Sequence, residues 1–143
     1  MKLFMEFNIN EAIFLDTAYF KALIDKKDEF HKQAVKKWKS IAQKDVKLIT
    51  TNFVLDETFT LVKVKCGLNA VIEFRNRLAA GLKRMKIIRT LLIDEEKAWD
   101  WFLKDWSNLS FTDCVSFAVM ERLELKRVAT FDRHFSKAGF TIV

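Results

Sequence analysis

Ser110-Phe111-Thr112-Asp113-Cys114-Val115-Ser116-Phe117-Ala118-Val119-Met120 puts a carboxylate just ahead of an almost unbroken apolar run. The run reads as a buried amphipathic helix. Ser110 or Thr112 can cap its amino end, and Asp113 suits the positive pole of the helix dipole. A charge at the head of so apolar a segment is costly unless something positive shares the site. Three other acids stand in comparable places: Asp16 after Phe14-Leu15, Glu57 in Asn52-Phe53-Val54-Leu55-Asp56-Glu57, and Asp132 after Ala129-Thr130-Phe131. The rest of the chain reads as a scaffold that brings these acids together.

Outward from that stretch, residues 12–16 form a short apolar run, read as a buried strand ending at Asp16. Thr17 opens a helix with Tyr19, Phe20, Leu23 and Ile24 on its apolar face, and Asp28 is read as the cap of the next helix. Residues 46–50 are a second strand. Thr51 or Asn52 caps a helix to Cys66 that Gly67 stops. Asn69 begins a fourth helix, and a third strand covers residues 87–92. Asp94-Glu95-Glu96 opens a helix whose apolar side carries Trp99, Phe102, Leu103 and Trp106. Trp101, off that stripe, is read either as an interface residue or as part of a wide buried face. Ser107-Asn108 turns the chain into the opening motif, and strands at 127–130 and 141–143 complete the pattern. Short apolar strands alternating with helices predict an α/β domain with a mostly parallel sheet of about five strands. In such sheets ligands bind beyond the carboxyl ends of the strands, at a switch in strand order.

A length of 143 residues fits one domain, with residues 1–10 as an extension without clear periodicity. The net charge of +6 suits a polyanionic partner, although lysine-rich solvated surfaces are equally common. Cys66 and Cys114 have no metal-ligand spacing and are read as reduced core residues. With no secretory h-region and no apolar run of membrane-spanning length, the expectation is a cytoplasmic protein without a membrane partner. Proline is absent and only three glycines occur, so neither a linker nor a phosphate-cradling glycine loop is predicted.

The acids differ in what each says alone. Glu57 has Phe53, Leu61 and Val64 on its stripe, so it points inward or at the rim of the core, whereas Asp56 is solvated. Asp113 serves equally as a helix cap. Asp16 and Asp132 follow strands, where acids are common at turns. Together, carboxylates without a matching set of His and Cys select a hard cation, Mg²⁺ or Mn²⁺. His31 and His134 lack the surroundings of a nucleophile–histidine pair. His134, two residues after Asp132, is read as a packing or surface residue, with substrate contact as the alternative.

These motifs, in this order and spacing, resemble the PIN-domain nucleases, most closely the small single-domain VapC-type toxins of toxin–antitoxin pairs. The resemblance rests on Phe14-Leu15-Asp16-Thr17, on Asp28 with His31 and Ala34, on residues 52–57 and 110–113, on Ala129-Thr130-Phe131-Asp132-Arg133-His134-Phe135 and on Gly139. It spans residues 12–143. It implies a three-layer fold and Mg²⁺- or Mn²⁺-dependent cleavage of RNA. The catalytic acids would be Asp16, Glu57, Asp113 and Asp132, with Thr112, Ser110 and Thr17 in support. Asp16 and Asp113 would be the direct metal ligands. It also implies a homodimer, built from the 99–106 or 53–64 segment, and an antitoxin that covers an apolar groove. Arg75, Arg77, Lys83, Arg84 and Lys86 are candidate phosphate contacts. A PIN nuclease of ribosomal or transfer RNA maturation would use the same residues, and a binding module on the same fold is a further alternative. The acids count against the latter, since pure RNA binding disfavours negative charge. A haloacid-dehalogenase-like phosphatase needs an acid two residues beyond Asp16, where Ala18 stands. The spacing of Glu11 and Asp16 is wrong for a receiver domain.

Overall fold

The structure, a computed structural model, describes residues 12–81 and 84–143. Residues 1–10 and Lys83 therefore lie outside the described residues. Strand β1 (Ile13–Leu15) is buried at every position and leads into helix α1 (Thr17–Ile24), then α2 (His31–Ala42). Strand β2 (Leu48–Thr51) feeds helix α3 (Asn52–Cys66), followed by α4 (Leu68–Gly81) and strand β3 (Met85–Ile88). Helices α5 (Leu92–Phe102) and α6 (Phe111–Arg122) precede strand β4 (Arg127–Ala129), the short helix α7 (His134–Lys137) and strand β5 (Thr141–Ile142).

All five strands pair in parallel, in the order β3-β2-β1-β4-β5. The chain winds from β1 out to β3, returns to the other side of β1 and winds out to β5. Strand order therefore switches between β1 and β4, and their carboxyl ends flank the crevice where such sheets bind ligands. The α/β reading of the sequence is what the structure shows: a parallel sheet flanked by helices.

Local chemistry accounts for most of the boundaries. Thr51 Oγ1 accepts the Val54 N–H at 3.1 Å and caps α3. Gly67, at φ +92°, ends that helix in a conformation that disfavours a side chain. Tyr19 donates its hydroxyl to Ala34 O at 2.9 Å, tying α1 to α2 within the core.

Several expectations need correction. Strand β3 covers residues 85–88 rather than 87–92, because its partner β2 runs out at Thr51, opposite Ile88. Helix α2 begins at His31. Asp28 instead accepts the Phe30 N–H at 2.8 Å and pairs with Lys21 at 2.6 Å, closing the turn before the helix. Cys114 is in the core, but Cys66 is only half-buried; both are free thiols.

The largest revision concerns α5. Its inner face is Asp94 and Ala98, not the aromatic stripe: Trp99 is 51% and Leu103 74% exposed. Trp101 packs inward, 5.1 Å from the Phe117 ring and 5.8 Å from Trp106, a member of the expected stripe that also packs on the core. Small Ala98 lets α5 approach α6, and the Arg122 guanidinium clamps Asp94 with bonds of 2.7 and 2.9 Å.

Candidate active site

Asp16 is the first residue beyond β1 and 1% exposed. Its Oδ2 accepts the Thr130 hydroxyl at 2.8 Å, while its Oδ1 is buried and has no hydrogen-bond partner among the described residues. Asp113 closes a reciprocal capping box at the head of α6: its N–H reaches Ser110 Oγ at 3.0 Å, and its Oδ2 accepts the Ser110 N–H at 3.1 Å. The cap uses one carboxylate oxygen, which leaves the other for the site. The two readings of Asp113 as cap and as site acid are therefore compatible. Asp132 follows β4; the Thr130 hydroxyl oxygen accepts its N–H at 2.9 Å, and its Oδ1 accepts the His134 N–H at 2.9 Å. Glu57 is half-buried on α3, beside the buried stripe of Val54, Leu55, Thr58 and Val62. Val64, on the Glu57 stripe, is 74% exposed, so the stripe marks the rim and not the interior. Asp56 is exposed, as read.

The acids repel one another. Burial, then the charge of Asp113, pushes the Asp16 pKa up to about 8, against the Thr130 hydrogen bond that lowers it; Asp132 adds a smaller push. Burial likewise takes Asp113 to about 7, with Asp132 and Glu57 raising it further against the Ser110 backbone bond. Asp113 is thus within electrostatic reach of each of the other three acids, and Asp16 of Asp132. Asp113, Asp132 and His134 offer ligand atoms within 4.8 Å of one another, a set that leaves out Asp16 and Glu57. Thr17 is buried with its hydroxyl unpartnered among the described residues, whereas Ser110 and Thr112 are half-buried at the head of α6.

These residues fit a divalent cation. The orphaned Asp16 Oδ1 is a buried acceptor without a donor, a costly state that a cation would relieve. The donors are mainly carboxylate oxygens, the set that suits Mg²⁺ or Mn²⁺.

Two residues of the site escape the sequence reading. Thr130 joins Asp16 to Asp132, and nothing marks one threonine after a strand as a bridge. His134, read as a packing or surface residue with substrate contact as the alternative, has Nδ1 2.7 Å from Asp132 Oδ1; its nearness in sequence to Asp132 is the signal available.

The expected phosphate contacts fare unevenly. Arg84 is corrected: its guanidinium donates to Ile41 O at 2.6 Å, to Ala42 O at 3.1 Å, to Lys44 O and to Val46 O, closing the end of α2. Arg77 pairs with Glu73 at 2.7 Å. Arg77 and Arg84 also line an apolar groove of about 710 Å³ with Phe20, Trp38, Phe74 and Met85, which contains none of the four acids. Arg75 and Lys86 are exposed. Arg89, just past β3, and Arg133, beside Asp132, are exposed cations at the carboxyl ends of strands.

Comparison with known proteins agrees with this geometry. The sequence profile of the PIN domain matches residues 13–141. The chain is 36% identical over 135 residues to the 23S rRNA-specific endonuclease VapC20 of Mycobacterium tuberculosis, covering 92% of this chain and 97% of the relative. The crystal structure of that Mycobacterium tuberculosis protein, described as a Sarcin-Ricin loop cleaving toxin, superposes with a TM-score of 0.77 at 34% identity, over 90% of this chain and 96% of that one. FitAcB from Neisseria gonorrhoeae shares the fold at 15% identity, with a TM-score of 0.65 over 91% of this chain and 95% of that one. A strand-order switch flanked by Asp16 and Asp132, a profile match along almost the whole domain and a relative sharing a third of its residues agree: the chain belongs to the PIN domain family.

Proposed function

We propose that this protein is an endoribonuclease dependent on Mg²⁺ or Mn²⁺, working in the cytoplasm as the toxin of a toxin–antitoxin pair. The observation that carries the reading is the Asp16 carboxylate, almost wholly buried, with Oδ1 unpartnered and two further carboxylates raising its pKa. Asp16 and Asp113 would hold the ion; Glu57 and Asp132 would hold a second ion or orient water. When bound, a divalent ion supplies an acidified water and a counter-charge for the phosphodiester oxygens. The chain's own residues do the rest. Thr130 fixes Asp16 against Asp132, and the capping box fixes Asp113 on a helix anchored in the core. Ser110, Thr112 and Thr17, beside Asp113 and Asp16 in sequence, would support the acids. Arg133 and Arg89, exposed after strands β4 and β3, would meet the phosphates, with the exposed Arg75 and Lys86 as further candidates.

Similarity to a 23S rRNA-specific endonuclease, whose crystal structure is described as that of a Sarcin-Ricin loop cleaving toxin, favours a loop of large-subunit ribosomal RNA as the substrate. The exposed face of Leu92, Trp99, Phe102 and Leu103 supports a homodimer, and the apolar groove supports an antitoxin that docks there. Among the described residues, no helix is long and apolar enough to cross a membrane.

The test is to incubate the protein with bacterial ribosomes and Mn²⁺ or Mg²⁺ and to map the new RNA ends. A discrete cut in large-subunit RNA, lost with EDTA, is expected. Cleavage confined to transfer RNA or small-subunit RNA would favour a maturation nuclease instead, and no cleavage of any RNA would reject the assignment.

A further inference from the structure

His134 lies between two acceptors. Its Nε2 is 2.9 Å from Ser107 O, a carbonyl that can only accept, so Nε2 carries the hydrogen. In the neutral ring that tautomer turns the Nδ1 lone pair toward Asp132, whose Oδ1 is 2.7 Å away. Nδ1 is buried and makes no hydrogen bond among the described residues. Two lone pairs so close need a positive charge between them: a proton, which makes the ring an imidazolium paired with Asp132, or a bound cation in its place. A ring N–H given to a backbone carbonyl while the other nitrogen faces a carboxylate cluster is also how metal-binding histidines are held. The ring is braced: it stacks on Trp106 at 6.2 Å and 15°, and Lys137 Nζ sits 4.3 Å from the centre of that indole.

Ligand atoms from Asp113, Asp132 and His134 all lie within 4.8 Å of one another. Two ligands on opposite sides of one Mg²⁺ or Mn²⁺ are separated by roughly 4 Å, twice a metal–ligand bond. The spacing therefore admits one ion touching all three after small shifts. The buried, unpartnered Asp16 Oδ1 is a separate sign that the same crevice takes a cation.

We infer that His134 Nδ1 is a nitrogen ligand of the metal site, joining Asp132 and Asp113, and that it biases the site toward Mn²⁺ over Mg²⁺. The inference rests on the metal-site reading above. Its physical basis is that Mg²⁺ keeps to oxygen ligands and water, whereas transition ions bind imidazole well.

The experiment measures Mn²⁺ and Mg²⁺ affinities of the full chain by calorimetric titration, for the parent, His134→Ala and His134→Gln. Gln is included because it retains bulk against Trp106 if Ala loosens the fold; melting curves establish that each variant is folded. The parent should bind Mn²⁺ at least about tenfold more tightly than Mg²⁺. Both variants should lose about tenfold or more in Mn²⁺ affinity and change Mg²⁺ affinity by less than about threefold, a loss of the size expected when one ligand contact goes. Equal weakening for both ions would mean that His134 acts by positioning Asp132, and no change for either would make it a bystander; each overturns the nitrogen ligand while the acid site stands. A parent that binds neither ion would overturn the metal-site reading itself.

Discussion

Thr130 Oγ1 donates to Asp16 Oδ2 at 2.8 Å across 114 residues of sequence, and the same oxygen accepts the Asp132 N–H at 2.9 Å. One hydroxyl thus sets the separation of the acids on either side of the strand-order switch. Thr130→Val keeps the shape and removes both bonds. It should cost about 1–2 kcal/mol in urea unfolding of the metal-free protein and weaken Mn²⁺ binding by about 10–100-fold. Thr130→Ser should restore most of both. A Val variant with parental Mn²⁺ affinity would remove Thr130 from the site.

The raised acids make the metal-free protein sensitive to pH in a defined direction. Burial and mutual repulsion push folded Asp16 up to about 8 and Asp113 up to about 7, against about 3.9 in an unfolded chain. Between those limits the folded state binds more protons, so their contribution to stability falls as pH rises from about 4 to about 8 and is level above. Asp113→Asn keeps an oxygen for the capping box and removes one of the repelling charges. In EDTA, the variant should gain on the parent as pH rises through that window, reaching equal or greater stability at pH 8, by on the order of 1–2 kcal/mol. It should gain less than the parent from added Mn²⁺. A variant that is less stable throughout and indifferent to Mn²⁺ would make Asp113 a cap alone.

Asp94 and Arg122 hold α5 against α6, the helix that carries Asp113. Burial alone would raise the Asp94 pKa, but the Arg122 bonds and the Leu91 N–H hold it below its usual value. Its contribution to stability is therefore complete above the ordinary carboxylate range and lost in acid. Asp94→Ala leaves Arg122 unpaired and uncaps α5; it should cost about 3 kcal/mol, read as a drop in melting temperature at pH 7 that shrinks toward pH 3. An unchanged melting temperature would show that the pair contributes nothing.

The exposed apolar face of α5 gives an assembly prediction. The parent should sediment as a dimer at micromolar concentration, and Trp99→Lys with Leu103→Glu should be monomeric with a melting temperature no lower than that of a monomeric parent. Leu103 is largely and Trp99 half exposed, and neither belongs to the core, so a change in the core is not expected from either. A parent that remains monomeric at high micromolar concentration would reject this face as the interface.

The positions of Asp16, Asp113 and Asp132 are legible in the sequence because each ends an apolar run or heads one, and parallel sheets gather such ends in one place. Glu57 is legible in part: its stripe is apolar, but Val64 on it faces outward, so the stripe describes the rim and not the core. The face of α5 is not legible. An aromatic stripe looks the same whether it meets a core or a partner, and here the inward contact is made by Ala98 and an ion pair. The end of β3 depends on the length of β2, a tertiary fact. Arg84 illustrates the limit for charge: a basic residue in a basic segment reads as a phosphate contact, yet its guanidinium is committed to carbonyls 40 or so residues away in sequence. Thr130 and His134 carry no pattern of their own and matter only through what the fold places beside them.

If the clustered carboxylates form one metal-dependent site for cutting RNA, loss of one charge from Asp16 must slow cleavage. The measurement is the rate at which parent and Asp16→Asn cleave one end-labelled hairpin of large-subunit ribosomal RNA in Mn²⁺. The parent should cut at a discrete position and stop on addition of EDTA. The variant, folded by its melting curve, should be slower by at least about a hundredfold, the loss of a few kcal/mol of charge stabilisation. Parental rates in Asp16→Asn, or cleavage that continues in EDTA, would contradict the account.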